Sequence, residues 1–400
     1  MTEQEALLNL GLQPISNRFL QPGSTERAKQ FPIELRLQLG TGLVQLANPF
    51  PVDEVRPRYE WLTCFEPEDH LDALVEDIIE LPYIDKDSLF GGYSFKDDST
   101  LARLKTKGYH RQWRISPEED LGLDDPCQSI ETYQAVFSQA KANKICQTRG
   151  KLDLAIVRHV TEHAYDLPSF LQAVAALMNP DGYIVWEVPD CENALENGDC
   201  TTIWEEHIHY FTRHTFKRTL ENEGFNIIHD RSVPYPLENS LIVITKGFKG
   251  RPQVNTQRTK ELDIEYERAY AFADKIKRRR ATACSMLHDV KRNRGEIALF
   301  GAGHLSVAYM SIMGVTELID FVIDDNPNKK GLLMPIGGVP IVGSEALYLK
   351  SPSLCLLGLN PKNQPSVIDR HSRYKEQGGT FASIFPGSAL ELEEVLKCGR

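Results

Sequence analysis

The chain has no cysteine pair at C-x-x-C spacing: its eight cysteines, Cys64, Cys127, Cys146, Cys191, Cys200, Cys284, Cys355 and Cys398, are scattered. That pattern excludes a zinc ribbon and a secreted disulfide framework, and the thiols read as free and mostly packed. No run approaches the roughly 20 consecutive apolar residues that a membrane-spanning helix needs, so a soluble protein without membrane partners is expected. Positive charge is also in short supply, with 45 Lys and Arg against 56 Asp and Glu and a formal net charge of -11. Nucleic acid is held by clustered cations on its phosphates, so no nucleic-acid partner is expected. The basic run 275–280 reads as the wet face of a helix. The opening segment carries Glu3 and Glu5 and no basic flank, which argues against a secretory signal and for a cytoplasmic location.

What is present is an ordinary globular composition, 41% hydrophobic and 25% charged over 400 residues, enough for two or three domains with real cores. Residues 1–70 are rich in proline and loop signals such as Asn48-Pro49-Phe50-Pro51 and predict a small irregular lobe. From Leu71 the apolar spacing becomes helical, through Leu74, Val75, Ile78 and Ile79, and a Gly91-Gly92 break follows. Helical and strand-like segments then alternate: helix over 101–108, strand over 152–157, helix over 168–178, strand over 183–188 and helix over 215–223. Closing strands are expected over 225–229 and 240–245. Strands separated by helices predict an α/β, Rossmann-like parallel sheet across 71–247. A polar stretch over 248–260 reads as a linker. Beyond it, residues 261–400 predict a long charged helix over 264–292 and a second Rossmann-like unit with strands over 297–300, 318–323, 354–358 and 380–384.

Three motifs carry chemistry. Gly301-Ala302-Gly303-His304 leaves a strand and enters a helix, the geometry that brings backbone N–H groups to a phosphate, and Asp324 or Asp325 falls where a ribose-binding acid stands. Glycine is also simply favoured at any such turn. Arg158-His159-Val160-Thr161-Glu162-His163 begins where the strand over 152–157 ends, at the edge where open parallel sheets bind ligands. Trp204-Glu205-Glu206-His207-Ile208-His209-Tyr210-Phe211 lies between the next strand and helix. Imidazole and carboxylate both exchange protons near neutral pH, so these segments supply candidate acids and bases, or else hold loops together.

Read together, Asp153-Leu154-Ala155-Ile156-Val157 running into that first motif, Met178-Asn179-Pro180-Asp181-Gly182, Glu187-Val188-Pro189-Asp190 and the 204–211 segment resemble the three-domain sugar C-methyltransferases of the class I, S-adenosylmethionine-dependent fold. The likeness continues through Asn239-Ser240-Leu241 and Ile323-Asp324-Asp325-Asn326-Pro327-Asn328-Lys329-Lys330-Gly331, and back to Phe31-Pro32-Ile33-Glu34-Leu35. The resemblance implies a nucleotide-linked keto sugar as small-molecule partner, deprotonation beside its ketone, and methylation of the enolate. It implies His163, Glu206 and His207 as acid/base residues and Tyr93, Ser94, Asp97, Ser116, Arg158 and His159 as the S-adenosylmethionine side of the site.

Departures from the family bear on these expectations. Gln38 and Thr41 stand in the second pair of the family's zinc cysteines, and no cysteine precedes Cys64, so no structural zinc and no other metal is expected. Trp204 replaces a tyrosine. The cofactor turn reads Gly92-Tyr93-Ser94-Phe95-Lys96-Asp97-Asp98, with Ser94, Lys96 and Asp98 at glycine positions, and Ser116 stands in place of the acid ending the second strand. Two alternatives therefore stay open: an epimerase or isomerase using the same enolate without a methyl donor, and a noncatalytic binding relative.

Overall fold

The structure is a computed structural model, and it describes residues 3–25, 27–62, 66–125, 127–250 and 258–398. Cys64 and positions 251–257 of the expected linker lie outside the described residues, as does the side chain of Cys398. The N-terminal lobe is less irregular than its prolines suggest. Its strands β1 (Gln4–Pro14), β2 (Gln30–Gln38) and β3 (Val44–Leu46) form an antiparallel meander. The reason lies in β2, where Ile33, Leu35 and Leu37 point inward at period two and are almost completely buried.

The central sheet is built from β4 (Phe90–Gly92), β5 (Gln112–Arg114), β6 (Leu152–Arg158) and β7 (Met178–Asp190). A two-residue strand, β8 (His209–Tyr210), follows, and then β9 (Phe225–Val233) and β10 (Asn239–Phe248). The sheet order is β5-β4-β6-β7-β10-β9, parallel from β5 to β7, with β10 inserted antiparallel between β7 and β9. That inserted reversed strand is the topology of the class I methyltransferase fold. β6 and β7 are buried along nearly their whole length because helices cover both faces of a parallel sheet. The covering helices start where local chemistry dictates: Asp166 caps Leu167–Ala176 by accepting from Ser169 N, with Pro168 in the first turn. β8 leaves the central sheet and pairs with β3, tying the N-terminal lobe onto the 204–211 segment.

After the 34-residue helix Lys260–Asn293, five parallel strands complete the second Rossmann-like unit. They are β11 (Ile297–Phe300), β12 (Phe321–Ile323), β13 (Ile341–Val342), β14 (Leu354–Leu357) and β15 (Thr380–Ser383), in the order β13-β12-β11-β14-β15. Gly301 turns out of β11 at φ +109, and a Cβ there would lie 2.8 Å from the Gly358 carbonyl oxygen, so this position admits only glycine without strain.

Gln38 and Thr41 hydrogen-bond each other through their side chains. The six described cysteines are free thiols. Among the described residues no helix is long and apolar enough to cross a membrane.

Candidate active site

The site is assembled at the C-terminal end of β6, where the chain is bent sharply. His159 adopts φ 49, a left-handed conformation uncommon for a residue with a side chain, and its N–H donates to the Glu187 carbonyl at 2.7 Å. The short helical turn Thr161–His163 follows and places His163 in the protein interior, 2% exposed. Its Nδ1 lies 2.6 Å from Glu131 Oε1 on the helix Ile130–Val136, which Ser129 caps. The Glu131 carboxylate fixes the ring and leaves Nε2 turned the other way.

The segment 204–207 is clamped from three directions. Glu205, 1% exposed, accepts from Ser16 N, from Ser16 Oγ at 3.0 Å and from Gln13 Nε2 at 3.3 Å, all on the N-terminal lobe. Trp204 stacks on His304 of the C-terminal domain with ring centroids 4.5 Å apart. Ile208 N donates to the Glu162 carbonyl at 2.8 Å, holding the segment against the 161–163 turn. Glu206 and His207 are thereby aimed at His163: the His207 and His163 rings meet edge to face at 5.0 Å, and ligand atoms of Glu131, His163 and Glu206 lie within 4.8 Å of one another. The structure thus brings together all three acid/base residues expected from sequence.

Their electrostatics diverge. Burial and the neighbouring charges of Glu131 and Glu205 hold the Glu206 carboxyl well above the usual carboxylate range, against the pull of Lys96 and Arg18. Burial opposes ionisation of Glu131 as well, but its bond to His163 outweighs that and holds it low. Burial and the charges of His163, Lys96 and His304 push His207 well below its ordinary value, so its imidazole is neutral near pH 7. One carboxyl is kept protonatable and its neighbour ionised, the separation that divides acid from base roles. Glu131 was missed from sequence, because nothing in the residues around it marks that helix as facing the site.

His207, Trp204, His304 and Glu238 line a small cavity of about 40 Å³ between the central and C-terminal domains. A larger one, about 1020 Å³, opens between the N-terminal lobe and residues 165–168, and includes none of His163, Glu206 and His207. Glu238 accepts from Thr202 Oγ1 at 3.0 Å, and burial, partly offset by that bond and one from Cys191, raises its carboxyl to about 7. A folded value above the ordinary one means that the fold prefers the protonated acid. Its stabilising contribution is full below pH 4.5 and is lost as pH rises through about 7. We expect the unfolding free energy to fall by about 1–3 kcal/mol across that window, and Glu238→Gln to abolish this part of the slope. Urea titrations at pH 4.5, 6 and 7.5 check this, and an identical slope in the variant refutes it.

The residues expected on the cofactor side are placed as follows. Tyr93 turns into the core, edge to face with Phe137 and Phe170. Asp97, fully buried, accepts from the backbone N–H groups of Tyr93, Ser94 and Arg158 at 2.7, 2.8 and 2.9 Å. Ser94 caps the turn by accepting from Lys96 N, and Ser116 likewise caps the turn Pro117–Leu121. Arg158 and His159 both engage Glu187. These groups shape the turn, and the charges that the sequence reading missed or counted against the cofactor stand beside it: Lys96 pairs with Glu66 at 2.8 Å and donates to the His159 carbonyl at 2.8 Å. A cation and an anion together match the α-carboxylate and α-ammonium of a methionine moiety, so this donor set fits the charged end of S-adenosylmethionine. At the end of β5, where the resemblance places a ribose-binding acid, the Ser116 hydroxyl caps the next turn and Asp120 accepts from Ser116 N at 2.7 Å. In the C-terminal domain, Asp324 accepts from Ala302 N at 2.9 Å and pairs with Lys329 at 3.0 Å, so it sits on the glycine turn itself.

Comparison with known proteins agrees with this architecture. Residues 92–230 match the methyltransferase domain family, and residues 245–386 match the C-methyltransferase C-terminal domain. The chain therefore joins a segment that matches the methyltransferase domain to one that matches the C-methyltransferase C-terminal domain. C-methyltransferase NovU of Streptomyces niveus is 27% identical over 280 residues, a match that spans 68% of this chain and 66% of that protein's length. Solved structures are more distant. The 1,6-didemethyltoxoflavin-N1-methyltransferase of Burkholderia thailandensis, determined with S-adenosylhomocysteine, is 13% identical with a TM-score of 0.30, covering 45% of this chain and 78% of that one. A putative S-adenosylmethionine-dependent methyltransferase of Listeria monocytogenes is 10% identical with a TM-score of 0.32, covering 46% of this chain and 100% of that one.

Proposed function

We propose that this chain is a C-methyltransferase that methylates the carbon beside the ketone of a nucleotide-linked keto sugar, using S-adenosylmethionine. The observation that carries the reading is the convergence of Glu206 and His207 on the Glu131–His163 pair at the end of β6. Glu206 acts from the fraction in which its raised carboxyl is ionised: that carboxylate takes the proton from the carbon next to the ketone, and the C–H electron pair moves into the carbonyl to give an enolate. A carboxyl raised by burial is a stronger base than an ordinary one and is suited to work near neutral pH. The neutral His207 imidazole donates a hydrogen bond to the oxygen on which charge develops, a task that neutral imidazole performs in water-poor sites. His163, held by Glu131, keeps His207 in place by ring contact. When bound, S-adenosylmethionine supplies an electrophilic methyl group, and Lys96 and Glu66 would hold its methionine end.

Ser116, standing where the resemblance expects a ribose-binding acid, favours a second reading in which no methyl donor binds and the same enolate is reprotonated, an isomerisation. One experiment separates the two. The protein is incubated in heavy water with a nucleotide-linked 4-keto sugar, with and without S-adenosylmethionine. A methylated product formed only with the cofactor supports methyl transfer, deuterium exchange indifferent to the cofactor supports isomerisation, and neither result overturns both.

A further inference from the structure

We propose that Glu162, His163 and His207 form a binding site for a divalent transition-metal cation beside Glu206. The three side chains bring a carboxylate oxygen and two imidazole nitrogens within 4.8 Å of one another. Glu162 is 1% exposed, yet neither of its carboxylate oxygens has a hydrogen-bond partner. The ring nitrogens nearest to it, His159 Nδ1 at 3.7 Å and His163 Nε2 at 3.8 Å, stand at ion-pair distance but too far for a hydrogen bond. His163 Nε2 is equally without a partner, in a ring that is 2% exposed.

Buried polar atoms are almost always satisfied, and a buried carboxylate with no donor is costly. Here two such deficits face each other across one point, with a third ligand, His207, on the loop above. A cation at that point satisfies them together. The ring of His163 is already oriented for this: Nδ1 is committed to Glu131 at 2.6 Å, the carboxylate–histidine support that metal-ligating histidines commonly have, and Nε2 is left for the ion. Metal–ligand bonds of roughly 2.0–2.2 Å draw ligand atoms closer than they stand here, so binding pulls the three side chains inward.

Two imidazoles and one carboxylate, with no thiolate and no ring of carbonyl oxygens, select a borderline cation such as Zn²⁺, Co²⁺, Mn²⁺ or Fe²⁺ over Ca²⁺ or Mg²⁺. From sequence no metal is expected, because Gln38 and Thr41 stand in place of the family's zinc cysteines, and Glu162 and His163 meet His207 only through the turn at 161–163. In purpose, though not in binding, the inference rests on the enolate reading: an ion held here is placed to polarise a ketone oxygen while Glu206 handles the proton.

Chelator-treated full-length protein is titrated with Co²⁺ in the absence of substrate. We expect one equivalent to bind, with the visible d–d bands of imidazole ligation, and Zn²⁺ to displace it. Glu162→Gln should weaken Co²⁺ binding by about 100-fold or more. His207→Gln, on the half-buried loop, should do the same and guards against misfolding of the first variant. Absence of the bands at excess Co²⁺, or unchanged affinity in both variants, overturns the site. Metal binding with neither methylated product nor deuterium exchange from a keto sugar would sink the enolate reading alone, and either of those products without metal binding would sink the metal site alone.

Discussion

Replacing Glu206 by Gln lowers turnover by about 10²-fold or more while leaving KM little changed. The substitution keeps the volume of the side chain and removes only its capacity to carry a proton. Its size rests on the division of labour around His163. Glu131 and Glu206 flank the same ring, and two carboxylates so close do not ionise independently. The bond to His163 assigns the easy ionisation to Glu131, so the proton that can be exchanged resides on Glu206. His207→Asn should act in the same direction, since it removes the imidazole that faces the developing negative charge. A variant that lost substrate binding would raise KM at constant turnover instead, and that outcome would assign Glu206 to positioning. Wild-type turnover in both variants would remove the pair from the chemistry altogether.

Much of this site was legible in the sequence because it is local. The strand expected over 152–157 is observed as Leu152–Arg158, and the acid- and imidazole-rich run falls directly after it, at the edge of the sheet where ligands bind. The 204–211 segment was legible for the same reason. Glu131 and Glu66 were not, because their importance exists only through space: each lies in a stretch with no motif of its own, and each acquires its role from a histidine or lysine far along the chain. The irregular N-terminal lobe was a misreading with a physical cause. Proline and glycine signals around β2 outweighed the alternation of Ile33, Leu35 and Leu37, which by itself describes a half-buried strand. Trp204 shows the limit in another form. Sequence presents it as a lost hydroxyl, whereas in the structure its ring stacks on His304 and couples the 204–211 segment to the C-terminal domain.

Removing one member of the Arg158–Glu187 pair should cost about 3–5 kcal/mol of stability, more than any surface change in this chain. Both side chains are buried, at 1% and 0% exposure, with Arg158 Nε 2.5 Å from Glu187 Oε2. The guanidinium also donates to the Lys96 carbonyl at 2.8 Å and the Pro67 carbonyl at 2.9 Å, so it joins the turn after β4 to the segment before the helix Leu71–Ile79. Burial works against the Glu187 charge, but bonds from His159 and His70 and the charge of Arg158 hold its carboxyl well below the ordinary range. Arg158→Met leaves that carboxylate without its closest cation, and Glu187→Gln leaves a buried guanidinium facing a neutral amide. The double variant Arg158→Met with Glu187→Leu leaves neither charge uncompensated, so its loss should be smaller than the sum of the two single losses. Denaturant unfolding followed by circular dichroism measures all three. Single-variant losses below about 1 kcal/mol would mean that water or neighbouring groups already compensate these charges, and strict additivity would mean that the two side chains stabilise the fold independently.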